Sequence, residues 1–104
     1  MFTDIFFLIS ELLLEISKHI TGGLELHFVG SRLGLMENEI KSIQYNHHGD
    51  INEAGHQVLV EWRRKRMTEQ LSEDEMKKEL RNVLCSENVA MNQVVAQLES
   101  KGLM

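Results

Sequence analysis

The chain has 104 residues, of which 42% are hydrophobic and 26% charged, with a formal net charge of −5. This length supports one domain around a single core and is too short for two. The acidic balance argues against a general nucleic-acid binder, which needs a positive face. Proline is absent, so nothing interrupts helices, and alternating strand patterns are hard to find. We therefore expect one all-α domain over residues 1–104, with a core between about residues 4 and 101.

The amino-terminal stretch of residues 1–20 is apolar enough to raise the question of a signal peptide or membrane helix. Three acidic residues interrupt it, at Asp4, Glu11 and Glu15, no basic residue precedes it and no small-residue cleavage site follows it. A single cysteine, Cys85, excludes an internal disulfide and fits a reducing compartment. These features predict a soluble, cytoplasmic protein that begins with an amphipathic helix.

The first two predicted helices both end at glycines. Helix 1 is expected over about residues 4–20 and stops at Gly22 and Gly23. Its apolar face comprises Ile5, Leu8, Ile9, Leu12, Leu13, Ile16 and Ile20. Helix 2 is expected from residue 24 or 25 to 32, and Gly34 closes it. Its inward positions are Leu26, Val29 and Leu33.

The next two predicted helices flank a polar loop at residues 46–49. Helix 3 covers about residues 37–45, and its expected anchors are Met36, Ile40 and Ile43. Asp50 and Glu53 form a start for helix 4 that is similar to a capping box. Helix 4 is expected to bury Ile51, Ala54, Val58 and Trp62, with Leu59 on the flank. It ends in a basic run at residues 63–66, where the helix dipole favours cations.

Two further helices complete the predicted domain. Ser72 and Glu75 form a capping box for helix 5, whose core face is Met76, Leu80, Val83 and Leu84. Helix 6 is expected over about residues 88–101, with Gly102 after it. Its inward positions are Met91, Val94, Val95 and Leu98. Six helices joined by short connections predict a compact antiparallel bundle.

A pattern of core positions in the middle of the chain resembles the death domain family. It consists of Leu33-Gly34-Leu35, then Ile40 and Ile43, then Val58 and Trp62, with Gly30 as the small residue four positions before the glycine. The resemblance extends over about residues 8–98. It departs from the family at Leu26, where Trp is frequent, and at Met36, where Ser or Asp commonly caps the third helix.

The resemblance implies a six-helix antiparallel bundle of death-fold, Greek-key architecture. It implies an adaptor without enzymatic activity, cofactor or small-molecule substrate, which binds other death domains, its own kind or a different one. Such homotypic association assembles signalling complexes of the apoptosis or innate immune type. The residues agree with a non-enzyme, because Gly30 to Gly34 lacks the Lys-Ser/Thr of a phosphate loop and no carboxylate pair lies in an apolar context.

The basic run Arg63, Arg64, Lys65 and Arg66 is the first candidate binding cluster. In the resembled family this region forms one half of a charged contact. The opposite charge would come from Glu37 and Glu39, or from Glu69, Glu73, Asp74 and Glu75. Separate basic and acidic patches suit head-to-tail assembly. Three alternatives stay open: a solvated helix end, a nuclear localisation signal, and a helical nucleic-acid-associated domain that contacts phosphates.

Phe7, Leu14 and Phe28 form the second candidate, since all three fall outside the apolar faces of helices 1 and 2. Single outward apolar residues are normal on a protein surface. Three of them on two helices that neighbour each other in the resembled fold favour a binding role. The alternative is that residues 1–3 cover them.

Metal binding and cysteine chemistry are not expected. His47, His48 and His56 lie near Asp50 in the sequence, but a structural zinc site needs four well-placed ligands, usually including cysteine. Cys85 falls on the outer face of helix 5 with no histidine nearby in the sequence to activate it. We interpret it as a plain surface thiol.

Overall fold

The computed structural model describes residues 2–86 and 89–103, except for the side chains of residues 2–9. Over these residues the chain forms six α-helices and no strand, so the prediction of an all-α six-helix bundle is confirmed. The helices are α1 (Phe2–Ser17), α2 (Gly23–Arg32), α3 (Glu37–Asn46), α4 (Ile51–Thr68), α5 (Glu73–Leu84) and α6 (Asn92–Ser100). Within the described residues, none of the helices has both the length and the hydrophobicity needed to cross a bilayer.

The other helices are arranged around α4, the longest of the six. It packs against α1, α2 and α3, while α5 contacts α2 and α6, and α6 contacts α1. Three α4 side chains predicted to face the core, Ala54, Val58 and Trp62, are fully or almost fully buried, and so is Leu59, which was predicted for the flank. These four side chains lie side by side or one helical turn apart, so they form a continuous apolar stripe. Ile51, also predicted to be buried, is only partly buried and packs against this core.

The core faces of the remaining helices follow the predicted pattern closely. Buried positions on α1, α2 and α5 are Leu12, Leu13, Ile16, Leu26, Val29, Met76, Leu80, Val83 and Leu84. The predicted face of helix 1 also included Ile5, Leu8 and Ile9, whose side chains lie outside the described residues. Core burial of this kind is what opposes the entropy lost on folding.

Side-chain caps appear where the sequence predicts them. Asp50 Oδ1 accepts a hydrogen bond from the Glu53 N–H at 3.1 Å, and Ser72 Oγ accepts one from the Glu75 N–H at 3.2 Å. Each cap satisfies an N–H that the helix itself leaves unpaired. At α3 the side chain of the third helical residue makes the cap, because the Glu39 carboxylate accepts a hydrogen bond from the Met36 N–H at 2.9 Å. The Met36 side chain is 64% exposed, so its prediction as a core anchor was wrong.

Two glycines set the geometry between α2 and α3. Gly34 adopts a φ of +90°, and its N–H donates to the Ser31 carbonyl while the Leu35 N–H donates to the Gly30 carbonyl. These two bonds form a Schellman motif, for which glycine is the favoured residue. A Cβ added to Gly30 would lie 2.8 Å from Ile40 Cδ1, so the missing side chain allows the two helices to approach closely.

The first predicted helix is shorter at its carboxyl end than expected, because α1 stops at Ser17. An amide from α4 stabilises the turn that follows. Asn52 Nδ2 donates to the carbonyls of Ser17 at 3.1 Å and Ile20 at 3.0 Å. Ile20 is fully buried in spite of lying outside the helix, so the turn carries the last core residue of this segment inward.

The sixth helix begins at Asn92, and the predicted start near residue 88 lies outside the described residues. Ala90 has a φ of +51°, which a continuing α-helix does not permit. The Met91 N–H donates instead to the Leu84 carbonyl at 2.7 Å, which ties the connection back to the end of α5. Met91 is buried as predicted, although it precedes the helix.

Replacement of Trp62 by alanine tests the core. The indole is fully buried, so Trp62→Ala is expected to lower the free energy of unfolding by about 3–5 kcal/mol through the cavity it leaves. Chemical denaturation followed by circular dichroism measures this change. The matched control is Tyr45→Ala, which removes an aromatic ring that is 81% exposed and should change stability by less than about 0.5 kcal/mol. Equal effects of the two substitutions would contradict the described core.

Candidate functional site

The predicted basic run lies on regular helix, because α4 continues to Thr68 and does not end at residue 66. Consecutive residues of an α-helix point in directions about 100° apart. Arg63, Arg64, Lys65 and Arg66 therefore face different neighbours, and the four cations do not form one exposed patch. Each has its own set of contacts.

Arg66 points toward the junction of α2, α4 and α5, and its side chain is 19% exposed. Its Nε and Nη2 donate to the two carboxylate oxygens of Glu79 at 2.8 and 2.9 Å. Nη2 also donates to the Leu33 carbonyl at 3.2 Å, and Nη1 donates to Glu69 at 2.9 Å. The hydrogen bonds that Arg66 donates to Glu79 raise the pKa of Arg66 above its ordinary value, so this cation is held within the fold.

Glu79 accepts a third hydrogen bond, from the indole Nε1 of the buried Trp62 at 2.8 Å. Burial acts to raise the pKa of Glu79, but the hydrogen bonds from Arg66 and Trp62 outweigh it, and the pKa is lowered below its usual value. Sequence reasoning missed this residue. The available signal was its position between Met76 and Leu80, which places a carboxylate at the edge of the core face of α5.

Lys65 pairs with Glu39 on α3, with Nζ to Oε1 at 2.6 Å. This bond, together with the Met36 N–H, lowers the pKa of Glu39. Glu39 was proposed from the sequence as the acidic partner of another molecule's basic cluster. In the fold it is instead the partner of that cluster within the same chain, so the expected separation of the basic and acidic patches is wrong at this point.

Arg63 and Arg64 lie on the outer side of the bundle. Arg64 has a side chain that is 67% exposed and pairs with Glu61 one turn earlier. The hydrogen bond from Arg64 lowers the pKa of Glu61. Arg63 is half-buried, and its Nη1 donates to Ser10 Oγ of α1 at 2.6 Å. Of the four cations, Arg64 is therefore the one most available to a partner.

An open groove of about 530 Å³ runs along this outer face of α4. It is lined by Val60, Arg63, Arg64, Met67 and Thr68. Met67 is 42% exposed, so an adaptable apolar side chain lies beside two guanidinium groups. We call this surface the α4 groove. It combines the apolar and arginine contacts that are enriched at protein interfaces.

The remaining acidic candidates have partners near them in the sequence. Glu37 pairs with Lys41 at 3.4 Å and Glu73 pairs with Lys77 at 3.0 Å. Glu75 accepts a hydrogen bond from Ser72 Oγ at 3.1 Å, while Glu69 pairs with Arg66 as described above. Asp74 is the one member of the predicted acidic set with no hydrogen bond or ion pair among the described residues.

The apolar candidate set is divided by the structure. Leu14 is 48% exposed, as predicted. Phe28 is half-buried and packs against the core, so its prediction as an outward residue was wrong; its ring also lies 6.1 Å from that of His27. Phe7 belongs to α1, but its side chain lies outside the described residues. Among the described residues α1 packs mainly on α4 and α6, so helices 1 and 2 are not the extensive packing neighbours that the resemblance implies.

A metal site was not expected from the sequence, and its candidate ligands are histidine, cysteine and acidic side chains. No group of three or more His, Cys, Asp and Glu side chains among the described residues is arranged to hold a metal ion. Cys85 is exposed at the end of α5. The four grooves found in this part of the chain are open, whereas small-molecule sites are usually concave and bury most of their ligand.

The chain was compared with protein families, curated proteins and solved structures. No protein-family model matches the chain, and neither curated proteins nor solved structures give a match.

Substitution of Glu79 by glutamine tests the network at the junction of three helices. Glu79 has a lowered pKa in the folded chain, so its carboxylate stabilises the fold above its ordinary pKa of 4.5 and this contribution is lost as the pH falls through the folded value. Glu79→Gln should lower stability by about 1–3 kcal/mol at neutral pH, because it removes a charge-assisted partner of Arg66. Denaturation curves at a series of pH values measure the difference.

The difference in the free energy of unfolding between wild type and Glu79→Gln should be constant near neutral pH and should decrease below pH 4.5. Glu37→Gln is the control, because both side chains of the Glu37–Lys41 pair are more than 60% exposed, and an exposed pair of this kind contributes about 0–1 kcal/mol. If the stability difference between wild type and Glu79→Gln did not change with pH, this result would contradict an ionised, hydrogen-bonded Glu79.

Proposed function

We propose that the chain is a death-domain-like interaction module of Greek-key architecture that associates with other death domains, its own kind or a different one. The proposal combines the resemblance of the core positions with the six-helix bundle. Leu33, Leu35 and Trp62 are buried, and Gly34 has the positive φ that the Leu-Gly-Leu pattern needs to end a helix. Its role would be to assemble signalling complexes of the apoptosis or innate immune type.

The observation that carries the proposal is the α4 groove. An association surface needs exposed apolar area together with groups that fix orientation, and Met67 with Arg64 provides both. Arg64 pairs only with a residue of its own helix, so exchange of this exposed pair for an intermolecular one has a small energetic cost. Arg63 and Arg64 line the groove. Lys65 and Arg66 pair with Glu39 and Glu79 within the chain and do not line it.

The double substitution Arg64→Glu and Met67→Asp tests the α4 groove. It reverses one exposed charge and removes the exposed apolar contact, so association is expected to be lost while the helical signal and the melting temperature stay near wild type. Light scattering measures the mass of the chain alone and in mixtures with other death domains over a concentration series. The monomer mass is 12.0 kDa.

Lys41→Glu is the matched control, since it reverses a cation on α3 that is 71% exposed and does not line the groove. It should associate as the wild type does. Unchanged association of the Arg64→Glu, Met67→Asp variant would contradict the assignment of the surface. A wild type that stays monomeric alone and binds no death domain would contradict the function itself.

The structure weighs against the alternative of nucleic-acid binding. Arg64, Lys65 and Arg66 each have a carboxylate partner within the chain, so phosphates would have to compete with these partners. A titration against duplex DNA at two salt concentrations is expected to show no salt-dependent binding. Tight binding that weakens steeply as salt is raised would favour the alternative.

A further inference from the structure

The end of α4 carries a short exposed stretch between two anchored residues. Residues 67–70 are all exposed. Before them Arg66 is held by Glu79, and after them Leu71 packs against the core. Gln70 adopts a φ of +61°, which is uncommon for a residue other than glycine and costs energy in this turn. The stretch can therefore open locally while the rest of the bundle stays folded.

Thr68 provides the one hydroxyl group of this stretch. Its Oγ1 donates to the Arg64 carbonyl at 3.0 Å, which is a bond within the helix that water can replace. The Thr68 side chain also lines the α4 groove, together with Arg64 and Met67. A chemical change at this hydroxyl therefore alters the surface of the groove directly.

The basic run stands immediately before this hydroxyl in the sequence. Its four cations, at residues 63–66, occupy the fifth to the second positions before Thr68. Many protein kinases select an acceptor hydroxyl by basic residues at such positions, which pair with carboxylates of the kinase. Kinases of this class read the run along an extended segment. The four cations can therefore be read together by a kinase, although the helix points them in different directions.

The ion pairs within the chain slow this recognition but do not prevent it. Lys65 and its partner Glu39 keep side-chain exposures of 30% and 27%, and Arg64 is 67% exposed. A kinase needs the cations released only in the transiently opened state, because each turnover leaves a product that accumulates. Equilibrium binding of nucleic acid, in contrast, needs the pairs broken for as long as the complex lasts.

We propose that Thr68 is a phosphorylation site for a kinase that selects basic residues before its acceptor, and that the phosphate closes the α4 groove to partners. In the transfer, Oγ1 of Thr68 forms a bond to the γ-phosphorus of ATP while the bond from that phosphorus to the β-phosphate oxygen breaks. ADP leaves, and the hydroxyl proton passes to a carboxylate of the kinase. The closure of the groove rests on the proposed function, whereas the modification of Thr68 does not.

The phosphate acts on the groove through its charge. It carries about two negative charges near neutral pH, and residues four apart on a helix, such as Arg64 and Thr68, are neighbours. The phosphate therefore competes with Glu61 for Arg64, and the groove loses its most available cation. The negative end of the helix dipole and the adjacent Glu69 repel the phosphate, so the last turn also loosens. Both effects oppose association through the α4 groove.

Phosphoryl transfer to the whole chain tests the modification. The probe is ATP with the catalytic subunit of cyclic-AMP-dependent protein kinase, which selects basic residues two and three positions before its acceptor. One phosphoryl group per chain is expected, located at Thr68 by peptide mass spectrometry. Thr68→Ala should abolish incorporation, and Ser42→Ala, which removes an exposed hydroxyl of α3, should leave it unchanged. Absence of incorporation, or incorporation that survives Thr68→Ala, would overturn the proposal.

Phosphorus-31 NMR measures the pairing with Arg64 without any partner present. The phosphate on Thr68 titrates with an ordinary second pKa of about 6. The midpoint should lie lower in the phosphorylated wild type than in phosphorylated Arg64→Gln, because a nearby guanidinium favours the dianion. Lys41→Gln, which removes an exposed cation of α3, should leave the midpoint unchanged. Equal midpoints in the wild type and Arg64→Gln would overturn closure of the groove through Arg64.

Light scattering then compares association of the phosphorylated and unmodified chains, alone and with other death domains. Phosphorylation should weaken association by about tenfold or more, since like charges at an interface are costly. Thr68→Ala treated with the same kinase should associate as the unmodified wild type does.

Two outcomes separate this inference from the proposed function. Unchanged association after full phosphorylation of Thr68, together with loss of association in the Arg64→Glu, Met67→Asp variant, would refute the closure and support the function. A wild type that associates with no death domain would contradict the function and with it the closure, whereas incorporation at Thr68 would still support the modification.

Discussion

A single guanidinium group joins three helices of this protein. Arg66 of α4 binds both carboxylate oxygens of Glu79 on α5 and the Leu33 carbonyl at the end of α2. The same carboxylate accepts from the buried indole of Trp62, so the polar network rests directly on the apolar core. A bidentate pair of this kind is specific in geometry, and it holds only if the three helices keep their relative positions. It also explains why Arg66, a predicted binding cation, is held in contacts within the chain.

Charge pairing within the chain determines which surfaces remain for partners. A run of four cations suggests one basic patch, but the helical twist points the four side chains in different directions. Lys65, for example, pairs with Glu39 of α3. Arg64 stays exposed beside Met67 on α4, and Arg32 and Lys78, unpaired among the described residues, stay exposed beside the end of α2. The net charge of −5 gives no indication of either surface, because it sums over pairs that neutralise each other locally.

The helices and their core faces were accessible from the sequence because a period of about 3.6 residues sorts apolar from polar positions. The caps at Asp50 and Ser72 were accessible for the same local reason, since each donor and acceptor lie three residues apart. The failures were at helix ends and single apolar residues. Met36 is exposed, although its hydrophobicity suggests that it is buried. Phe28 packs on the core, although the helical period places it on the outward face.

The sequence by itself determined which segments are helical, where several of them begin and end, and which stripe of each helix is buried, because these properties depend on neighbours within about four positions. Only the tertiary structure decided which charges are bound and which are available. Glu79 lies 13 residues from Arg66, and Glu39 lies 26 residues from Lys65. Pairs at such separations form only when helix packing brings the two elements together, and no local pattern encodes that arrangement.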